Sequence, residues 1–454
     1  MTQLSSVRAD GSRLPIHPSD VRGRFITARR WVFAGLMAIY LASPLIRING
    51  QPAVHLDVEQ RRFYLLGGSF NAQDFWLVLF LTTGFTFALL FVTAWRGRLW
   101  CGWACPQSVF LEGLYRPIER LFDGPREKRL KLSHAPWTAG RLVRLAGKHA
   151  AWGFISLLIS HAALSVFLSA HELKQMVLDG PAAHPAAFGW SVAVTALLHF
   201  NFTWFREQFC VVICPYGRMQ SLLHDPSSIV IGYDAARGEP RGHLRTPGPK
   251  LGDCIDCKLC VTACPTAIDI RHGLQMECLA CAQCVDACDE VMDKIHKPRG
   301  LIRYASLSTF EGIPSQVRRP RLVLYAALAV ACFGALGLTV GIRTSFEANV
   351  LRLAGAPWVL EGATVRNQFE VHLVNKASSP SKLSVSVTSP VAAQIQIAEP
   401  VVVLQSFEDR RVLVVVTIDR AQLREPMDLA VTVRDQSSGA QRIQRLAFLA
   451  PLLR

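Results

Sequence analysis

Residues 254–288 read CIDCKLCVTACPTAIDIRHGLQMECLACAQCVDAC and hold eight of the 13 cysteines in this chain of 454 residues. In each half of the stretch, three cysteines separated by two residues lead, after three further residues, to a fourth cysteine. Three closely spaced thiolates in one tight loop can bind three irons of a cubane cluster, so the fourth ligand must come from elsewhere. The spacing therefore predicts two metal-binding loops that exchange ligands.

The doubled spacing is typical of a ferredoxin with two 4Fe-4S clusters, in which the last cysteine of each run ligates the other cluster. Two zinc sites of four cysteines each are the alternative, although zinc does not need eight cysteines in this doubled order. The predicted ligands are Cys254, Cys257, Cys260 and Cys288 for one cluster, and Cys278, Cys281, Cys284 and Cys264 for the other.

Two shorter motifs have the form Cys-x-x-x-Cys-Pro, and a tryptophan lies at the same offset before each of them. Each motif follows an apolar stretch, so the four thiols are expected at one membrane depth, where they could converge. Soft thiolates select Cu(I), zinc or a redox disulfide. The alternative is that they are small buried residues at helix ends. The candidate catalytic and copper-binding residues are Cys101, Cys105, Cys210 and Cys214.

Five apolar stretches are long enough, or nearly long enough, for membrane-spanning helices, which need about 20 residues. They are residues 31–46, 75–95, 151–170, 188–205 and 322–342. His161 and His199 lie within the third and fourth stretches, where polar groups are costly. They are candidates for haem or copper ligation, or for hydrogen bonds to a neighbouring helix. Cys332, in the fifth stretch, is predicted to be a packing residue.

The chain has a formal charge of +15, and the positions of its Lys and Arg residues are related to the apolar stretches. Lys and Arg concentrate before the first stretch, in residues 96–150 and in residues 206–321, and are sparse in the other connections. Cytoplasmic loops of membrane proteins are enriched in Lys and Arg. These three segments are therefore predicted to be cytoplasmic, and the chain after 343 to be outside. Because the charge follows membrane sidedness, nucleic-acid binding is not expected.

The end of the chain has a different pattern. Apolar and polar residues alternate around Phe369, Leu383 and Leu429, a period of two that is typical of half-buried strands. A small β-sandwich without cysteines is predicted there. The predicted organisation is a leader (1–30), a four-helix membrane region with both Cys-Pro motifs (31–230), a ferredoxin-like module (231–320), a fifth membrane helix (321–343) and the sandwich (344–454).

The runs CGWACPQ (101–107), REQFCVVICPY (206–216), YDAARGEPRG (233–242) and LGDCIDCKLC through CDEVMDKI (251–295) resemble the cytochrome c oxidase accessory protein family known as CcoG, FixG or RdxA. The resemblance extends from about residue 25 through 304, and the tail is similar to the periplasmic immunoglobulin-like domain of that family. It implies a multi-pass protein of the bacterial inner membrane, with a cytoplasmic N-terminus and a periplasmic C-terminus, and suggests a homodimer.

The family resemblance further implies a cupric reductase, an oxidoreductase that supplies Cu(I) for assembly of cbb3-type oxidase. Electrons would enter from a cytoplasmic donor, cross between the clusters and reach copper at the Cys-Pro cysteines. Expected partners are oxidase assembly factors or copper-handling proteins, and the lipid bilayer. No dinucleotide or flavin fingerprint identifies the donor. The alternatives are an electron-transfer subunit that serves a partner protein and a redox-sensing scaffold whose sandwich docks an oxidase subunit.

Overall fold

The computed structural model describes residues 15–48, 51–58, 62–65, 67–71, 74–243, 251–314, 319–377, 379–423 and 427–451. The α-helices of these residues are α1 (Arg24–Ala42), α2 (Trp76–Arg96), α3 (Leu99–Trp103), α4 (Pro106–Phe110), α5 (Arg116–Asp123), α6 (Arg126–His134), α7 (Ala139–Leu164), α8 (Ala170–Asp179), α9 (Pro185–Phe200), α10 (Pro215–Met219), α11 (Ala235–Gly238), α12 (Leu259–Thr262), α13 (Gln283–Lys294), α14 (Leu307–Phe310) and α15 (Pro320–Gly341). Leu111–Tyr115, Asn201–Phe205 and Phe209–Ile213 are π-helical, and Gln220–Leu222, Ile270–His272 and Arg420–Gln422 are short 3₁₀ turns.

The strands are β1 (Arg47–Ile48), β2 (Gln51–Pro52), β3 (Val54–Asp57), β4 (Arg62–Leu65), β5 (Gly68–Asn71), β6 (Ile229–Tyr233), β7 (Ile302–Ser306), β8 (Phe346–Arg352), β9 (Val359–Glu361), β10 (Thr364–Asn375), β11 (Ser381–Thr388), β12 (Ala393–Ile397), β13 (Val401–Leu404), β14 (Asp409–Asp419), β15 (Met427–Asp435) and β16 (Gln441–Phe448). The chain divides into two compact units. One comprises Met1–Asp57 with Val78–Ala335, and the other comprises Val58–Leu77 with Leu336–Arg454.

Four helices of the described residues, α1, α2, α7 and α15, are long and apolar enough to cross a membrane. They contain most of four of the five predicted spans and are compatible with membrane insertion. The remaining predicted span, 188–205, corresponds to α9, which has 16 residues and continues directly into a π-helical segment of five residues. No single regular helix of spanning length therefore covers it.

Helix boundaries differ from the predicted spans because caps, and not hydropathy, set where a helix begins. Helix α7 begins at Ala139, well before the predicted residue 151, where the Thr138 hydroxyl accepts the N–H of Arg141 at 3.3 Å. Helix α1 begins at Arg24, also earlier than predicted. The Asp286 carboxylate accepts the N–H groups of Phe25 and Ile26 at its first turn, at 3.2 and 2.8 Å.

A short antiparallel ladder closes the segment that carries the eight clustered cysteines. Strand β6 pairs with β7, with Ile231 opposite Tyr304. The ladder brings residues before 234 next to residues after 301. Ile231, Leu301 and Ile302 are buried in one apolar cluster with most of the clustered cysteines. The thiols are therefore held in a compact, mostly apolar module.

The C-terminal unit contains the predicted sandwich. One sheet has the order β12-β14-β10-β8, with β9 paired to β10, and the other has the order β13-β11-β15-β16. The predicted alternation is confirmed, because Phe369, Leu383 and Leu429 are fully buried between the sheets. Side chains from both inner faces fill one core, as in packed antiparallel sheets.

Candidate functional site

The eight clustered cysteines divide between two cavities in the same sets that the spacing predicts. The first cavity is otherwise lined mainly by apolar side chains such as Val291, Met292 and Leu301. The second is lined by Pro265, Ile268 and Ile270, among others. Cys254, Cys257, Cys260 and Cys288 line the first cavity, and Cys264, Cys278, Cys281 and Cys284, with Cys260, line the second.

The two binding loops repeat the same unusual backbone conformation. The second and fourth residues after the first cysteine are left-handed in both loops, with φ of 51° and 57° at Asp256 and Lys258 and of 50° and 62° at Ala280 and Ala282. Non-glycine residues rarely adopt positive φ. Helices α12 and α13 each begin directly after the second of these residues. Two separate loops thus present their cysteines with the same local geometry.

The chemistry of these residues fits iron–sulfur clusters. Burial raises the pKa of Cys278 to about 12 and that of Cys281 to about 11, so a thiolate needs a bound metal to be stable there. Thiolates in an apolar, water-poor cage are the usual ligands of four-iron clusters. Cys257, by contrast, is exposed, which leaves one side of the first cavity close to solvent.

The two Cys-Pro motifs also share one backbone geometry. Cys105 and Cys214 are the N-cap residues of α4 and α10, with φ, ψ of −61°, 128° and −63°, 113°, and a proline follows each as the first helical residue. The N–H of Cys105 donates to Trp100 O at 2.8 Å, and that of Cys214 donates to Phe209 O at 2.9 Å. Both donations span five residues. The duplication seen in the sequence is therefore also a duplication of structure.

The two motifs contact each other. Arg98, just before the first motif, is buried and donates a hydrogen bond to Gly217 O, just after the second. The Cys101 thiol lies 3.8 Å from Gln220 Oε1. Gln220 is fully buried, and the sequence analysis missed it because nothing in its local pattern distinguishes it from a surface glutamine.

The four thiols of the two motifs lie within electrostatic range of one another. Burial raises the pKa of Cys101 to about 12, and negative charge on Cys105 or Cys214 would raise it further. Burial and the same neighbours raise the pKa of Cys210. Across the described residues, no three His, Cys, Asp or Glu side chains are arranged to hold a single metal ion. The motifs thus bring the four thiols together without forming a closed tetrahedral site.

The first Cys-Pro motif packs directly on the loop of the second cluster cavity. A Cβ atom on Gly102 would lie only 2.4 Å from Leu279 O, so only glycine permits this approach. Trp103 Nε1 donates to the Tyr304 hydroxyl at 3.2 Å, and that hydroxyl donates to Ala280 O at 2.6 Å. Gly102 therefore contacts the chain between Cys278 and Cys281 directly, and Trp103 is linked to it through the Tyr304 hydroxyl.

A buried group of charges supports the second cavity. The Arg116 guanidinium, 1% exposed, donates to Pro265 O at 3.2 Å, pairs with Glu112 and lies 3.5 Å from Glu207 Oε2. Gln283 Nε2 in turn donates to Glu112 Oε2 at 3.3 Å. Pro265 follows Cys264, and Gln283 precedes Cys284. The sequence analysis did not identify Arg116 as a site residue, because it lies in a run of basic residues typical of a solvated loop.

The structure gives the other candidate residues local partners. His161 Nδ1 lies 2.9 Å from Leu157 O. This hydrogen-bond partner belongs to the same helix as His161 and not to a neighbouring helix. His199 Nε2 lies 3.2 Å from Nδ1 of His149 on α7. Cys332 lies against Gly84, where an added Cβ would be 3.2 Å from the Cys332 Cβ. Cys332 thus makes the helix contact expected of a packing residue.

Comparison with protein families supports the iron–sulfur chemistry. Residues 205–307 match a 4Fe-4S dicluster domain, and residues 75–125 match a 4Fe-4S binding domain. Residues 336–451 match the Ig-like fold at the C-terminus of FixG. The chain is therefore an iron–sulfur protein with an immunoglobulin-like C-terminal domain.

Relatives resemble the chain over most of its length. The protein RdxB of Cereibacter sphaeroides is 36% identical over 408 residues, which cover 86% of this chain and 84% of RdxB. RdxA of the same organism is 35% identical, covering 83% of this chain and 82% of RdxA. The nitrogen fixation protein FixG of Rhizobium meliloti is 33% identical, covering 85% and 81%. The chain belongs to the FixG/RdxA family, as its sequence motifs predicted.

Proposed function

We propose that this chain is a membrane-bound iron–sulfur oxidoreductase that reduces Cu(II) to Cu(I). The contact between the first Cys-Pro motif and the loop of the second cluster cavity carries this proposal. Gly102 and Trp103 join a group of four buried or half-buried thiols to the cluster-binding module by direct contacts with Leu279 and Tyr304. Thiols that bind copper would then lie beside a source of single electrons.

In this proposal, each cavity holds one 4Fe-4S cluster. The clusters, when bound, supply electrons one at a time. The left-handed loop residues and the buried Arg116 hold the cysteines in position, and the apolar lining excludes water. The ligands are Cys254, Cys257, Cys260 and Cys288 for the first cluster, and Cys264, Cys278, Cys281 and Cys284 for the second.

The Cys-Pro thiols act on copper as substrate. Cu(II) takes up one electron and becomes Cu(I), which soft thiolates prefer. The thiols lose protons when they bind the metal, and the nearby Arg98 guanidinium favours the thiolate of Cys101. A one-electron reductant on the cytoplasmic side replaces the electron. The Cu(I) passes to copper-handling proteins that assemble a cbb3-type oxidase, and the chain acts in the inner membrane as a homodimer.

The test is Cu(II) reduction by the purified full chain with dithionite as electron donor and a Cu(I)-specific chromophore as readout. Cys101→Ala and Cys210→Ala should each lower the rate at least tenfold while iron content stays at about eight per chain, the value for two four-iron clusters. Cys332→Ala is the matched control, because this thiol lies outside both motifs. Full activity in both motif variants would exclude the thiol site.

A second candidate is that the four Cys-Pro thiols ligate a further four-iron cluster. The match of residues 75–125 to a 4Fe-4S binding domain favours it, because Cys101 and Cys105 are the only cysteines in that segment. Iron analysis of the anaerobically purified chain separates the two candidates. About eight irons per chain agree with a copper site, and about twelve with a third cluster.

Two further functions predict different outcomes. An electron-transfer subunit that serves a partner protein would not turn over free Cu(II). A redox-sensing scaffold would fail in oxidase assembly when its sandwich is deleted, even with both clusters intact. Copper reduction that depends on Cys101 and Cys210 would therefore separate the proposed function from both.

A further inference from the structure

A basic cavity of about 180 Å³ lies at the beginning of α7, between that helix, α5 and α6. One water occupies roughly 30 Å³ in the liquid, so the cavity can hold a group of several heavy atoms. The electron-transfer module does not include it, and no step of copper reduction uses it. Its charged lining consists of Arg129, Arg141, Arg144, Lys148, Glu119 and Asp123.

The cations of this cavity outnumber the carboxylates, and the carboxylates are already paired. Glu119 Oε2 lies 3.1 Å from Arg206 Nη1, and Asp123 pairs with Lys148. Three cations of the lining, Arg129, Arg141 and Arg144, form no ion pair within 4 Å among the described residues, although Glu119 and Asp20 act on Arg129 over a longer distance.

One of these arginines is buried with an unused donor. Arg129 is 3% exposed, and its Nη2 donates to Pro18 O at 2.8 Å, but its Nε has no hydrogen-bond partner among the described residues. A buried N–H without an acceptor is costly. Arg144, three residues after Arg141 on the same face of α7, lines the cavity without a hydrogen bond or ion pair to any described residue. Arg129 and Arg144 therefore have hydrogen-bond donors that no described acceptor uses.

The cavity lies at the polar end of an apolar helix. Helix α7 is one of the helices that can cross a membrane, and its basic residues come before its apolar part. Trp137 lines the cavity and is 67% exposed. Exposed tryptophan is typical of the membrane–water interface. A free anion needs no such surface, whereas an amphiphile with an anionic head does.

We propose that this cavity binds the phosphate of an anionic membrane phospholipid such as phosphatidylglycerol. Arginine forms paired hydrogen bonds to phosphate oxygens, and basic pockets beside membrane helices bind anionic head groups. Arg129, Arg141 and Arg144 supply the positive charge, and the acyl chains lie along Trp137 and the apolar part of α7. The proposal does not depend on copper reduction.

The test uses the full-length protein with its clusters, reconstituted in nanodiscs of phosphatidylcholine with or without phosphatidylglycerol. Native mass spectrometry after release from the discs counts the lipids that stay bound. The wild type should retain one phosphatidylglycerol, and Arg141→Gln/Arg144→Gln should bind it about twenty-five-fold more weakly, since each interfacial cation contributes about fivefold. Lys131→Gln, an exposed cation of α6 outside the cavity, should behave as the wild type.

Unchanged iron content verifies that the double variant is folded, and Arg144→Lys, which keeps the charge, should retain most of the binding. Equal retention of phosphatidylglycerol by the wild type and the double variant would overturn the proposal. Inorganic phosphate that protects the wild type against heat as well as the lipid does, with no lipid retained, would assign the cavity to a free anion and would also overturn it.

Discussion

Arg116 illustrates how one buried charge can control a cluster site. Replacing it with Gln removes the donor to Pro265 O and leaves Glu112 buried without its cation, which typically costs about 3–5 kcal/mol. We expect iron to fall from about eight toward about four per chain, with loss of one of two cubane signals in EPR. The control Arg120→Gln removes a half-exposed ion pair on the same helix and should leave both signals.

The cause of the Arg116 effect can be separated from simple loss of a side chain. Glu112→Gln/Arg116→Gln neutralises the buried pair and removes the unpaired Glu112 carboxylate, although Glu207 still loses its contact with Arg116. Iron content should recover at least partly in this double variant. A double variant as depleted as Arg116→Gln would instead show that the hydrogen bond to Pro265 O or the contact with Glu207 holds the second cavity, and not the neutralisation of Glu112.

At the residue scale, the local spacing of the cysteines predicted how they are grouped, whereas contacts between residues distant in the sequence could not be predicted. The sets of four cysteines follow from intervals of two and three residues, which the chain itself enforces. Arg116, Gln220 and Gly102 owe their places to segments more than 100 residues away. Nothing in their neighbourhood of the sequence encodes those partners.

Helix α3 carries the closest contact between the two parts of the proposed site. A methyl group at Gly102 would collide with Leu279 O, so Gly102→Ala must push α3 away from the cluster loop. We expect loss of at least half of the proposed copper-reducing activity and a shifted EPR signal from the adjacent centre. Gly153→Ala is the control, because a Cβ at this helical position in α7 meets nothing within 4 Å. Wild-type spectra and rates in Gly102→Ala would contradict the proposed route.

Strand β15 ends in a carboxylate with a predictable pH response. Burial alone raises the pKa of Asp435, but hydrogen bonds from Ser437, Ser438 and Ser345 outweigh it and hold the pKa below the ordinary 3.8. Its stabilising effect is therefore complete above pH 3.8 and is lost as the pH falls further. Asp435→Asn should destabilise the sandwich by about 1–3 kcal/mol at neutral pH.

Hydrogen exchange of the β15 amides in the full chain measures this effect. The difference between the wild type and Asp435→Asn should shrink as the pH is lowered below 3.8. Asp428→Asn, at an exposed position of the same strand, is the matched control. A difference that stays constant at low pH would mean that Asp435 acts through its shape and not its charge.

Element boundaries were harder to predict than element types. The apolar period of two located the strands of the sandwich, because one face of each strand is buried. The start of α1 depends on Asp286, which lies between two predicted cluster ligands on α13 and caps a helix far away in the sequence. Nothing in the sequence around Asp286 indicates that its carboxylate accepts hydrogen bonds from the first turn of α1.

At the scale of the whole molecule, the segment formed by α9 and its π-helical continuation determines the topology. If it crosses the membrane with α1, α2, α7 and α15, the number of spans is odd and the two termini lie on opposite sides. If it does not, the number is even and they lie on the same side. The charge pattern favours the first arrangement, because residues 206–321 after this segment are rich in Lys and Arg, as expected on the cytoplasmic side, whereas Lys174 is the only Lys or Arg between the third and fourth stretches.

Fusions of alkaline phosphatase, which is active only outside the cytoplasm, can decide between these topologies. We expect high activity for fusions after Asp179 and after Pro451, and low activity for a fusion after Asp123 in the basic segment. Green fluorescent protein at the same positions should give the opposite pattern and is the control for expression. An inactive phosphatase after Pro451 together with an active one after Asp179 would require an even number of spans, and would place the sandwich in the cytoplasm and the iron–sulfur module outside it, because α15 crosses the membrane between them.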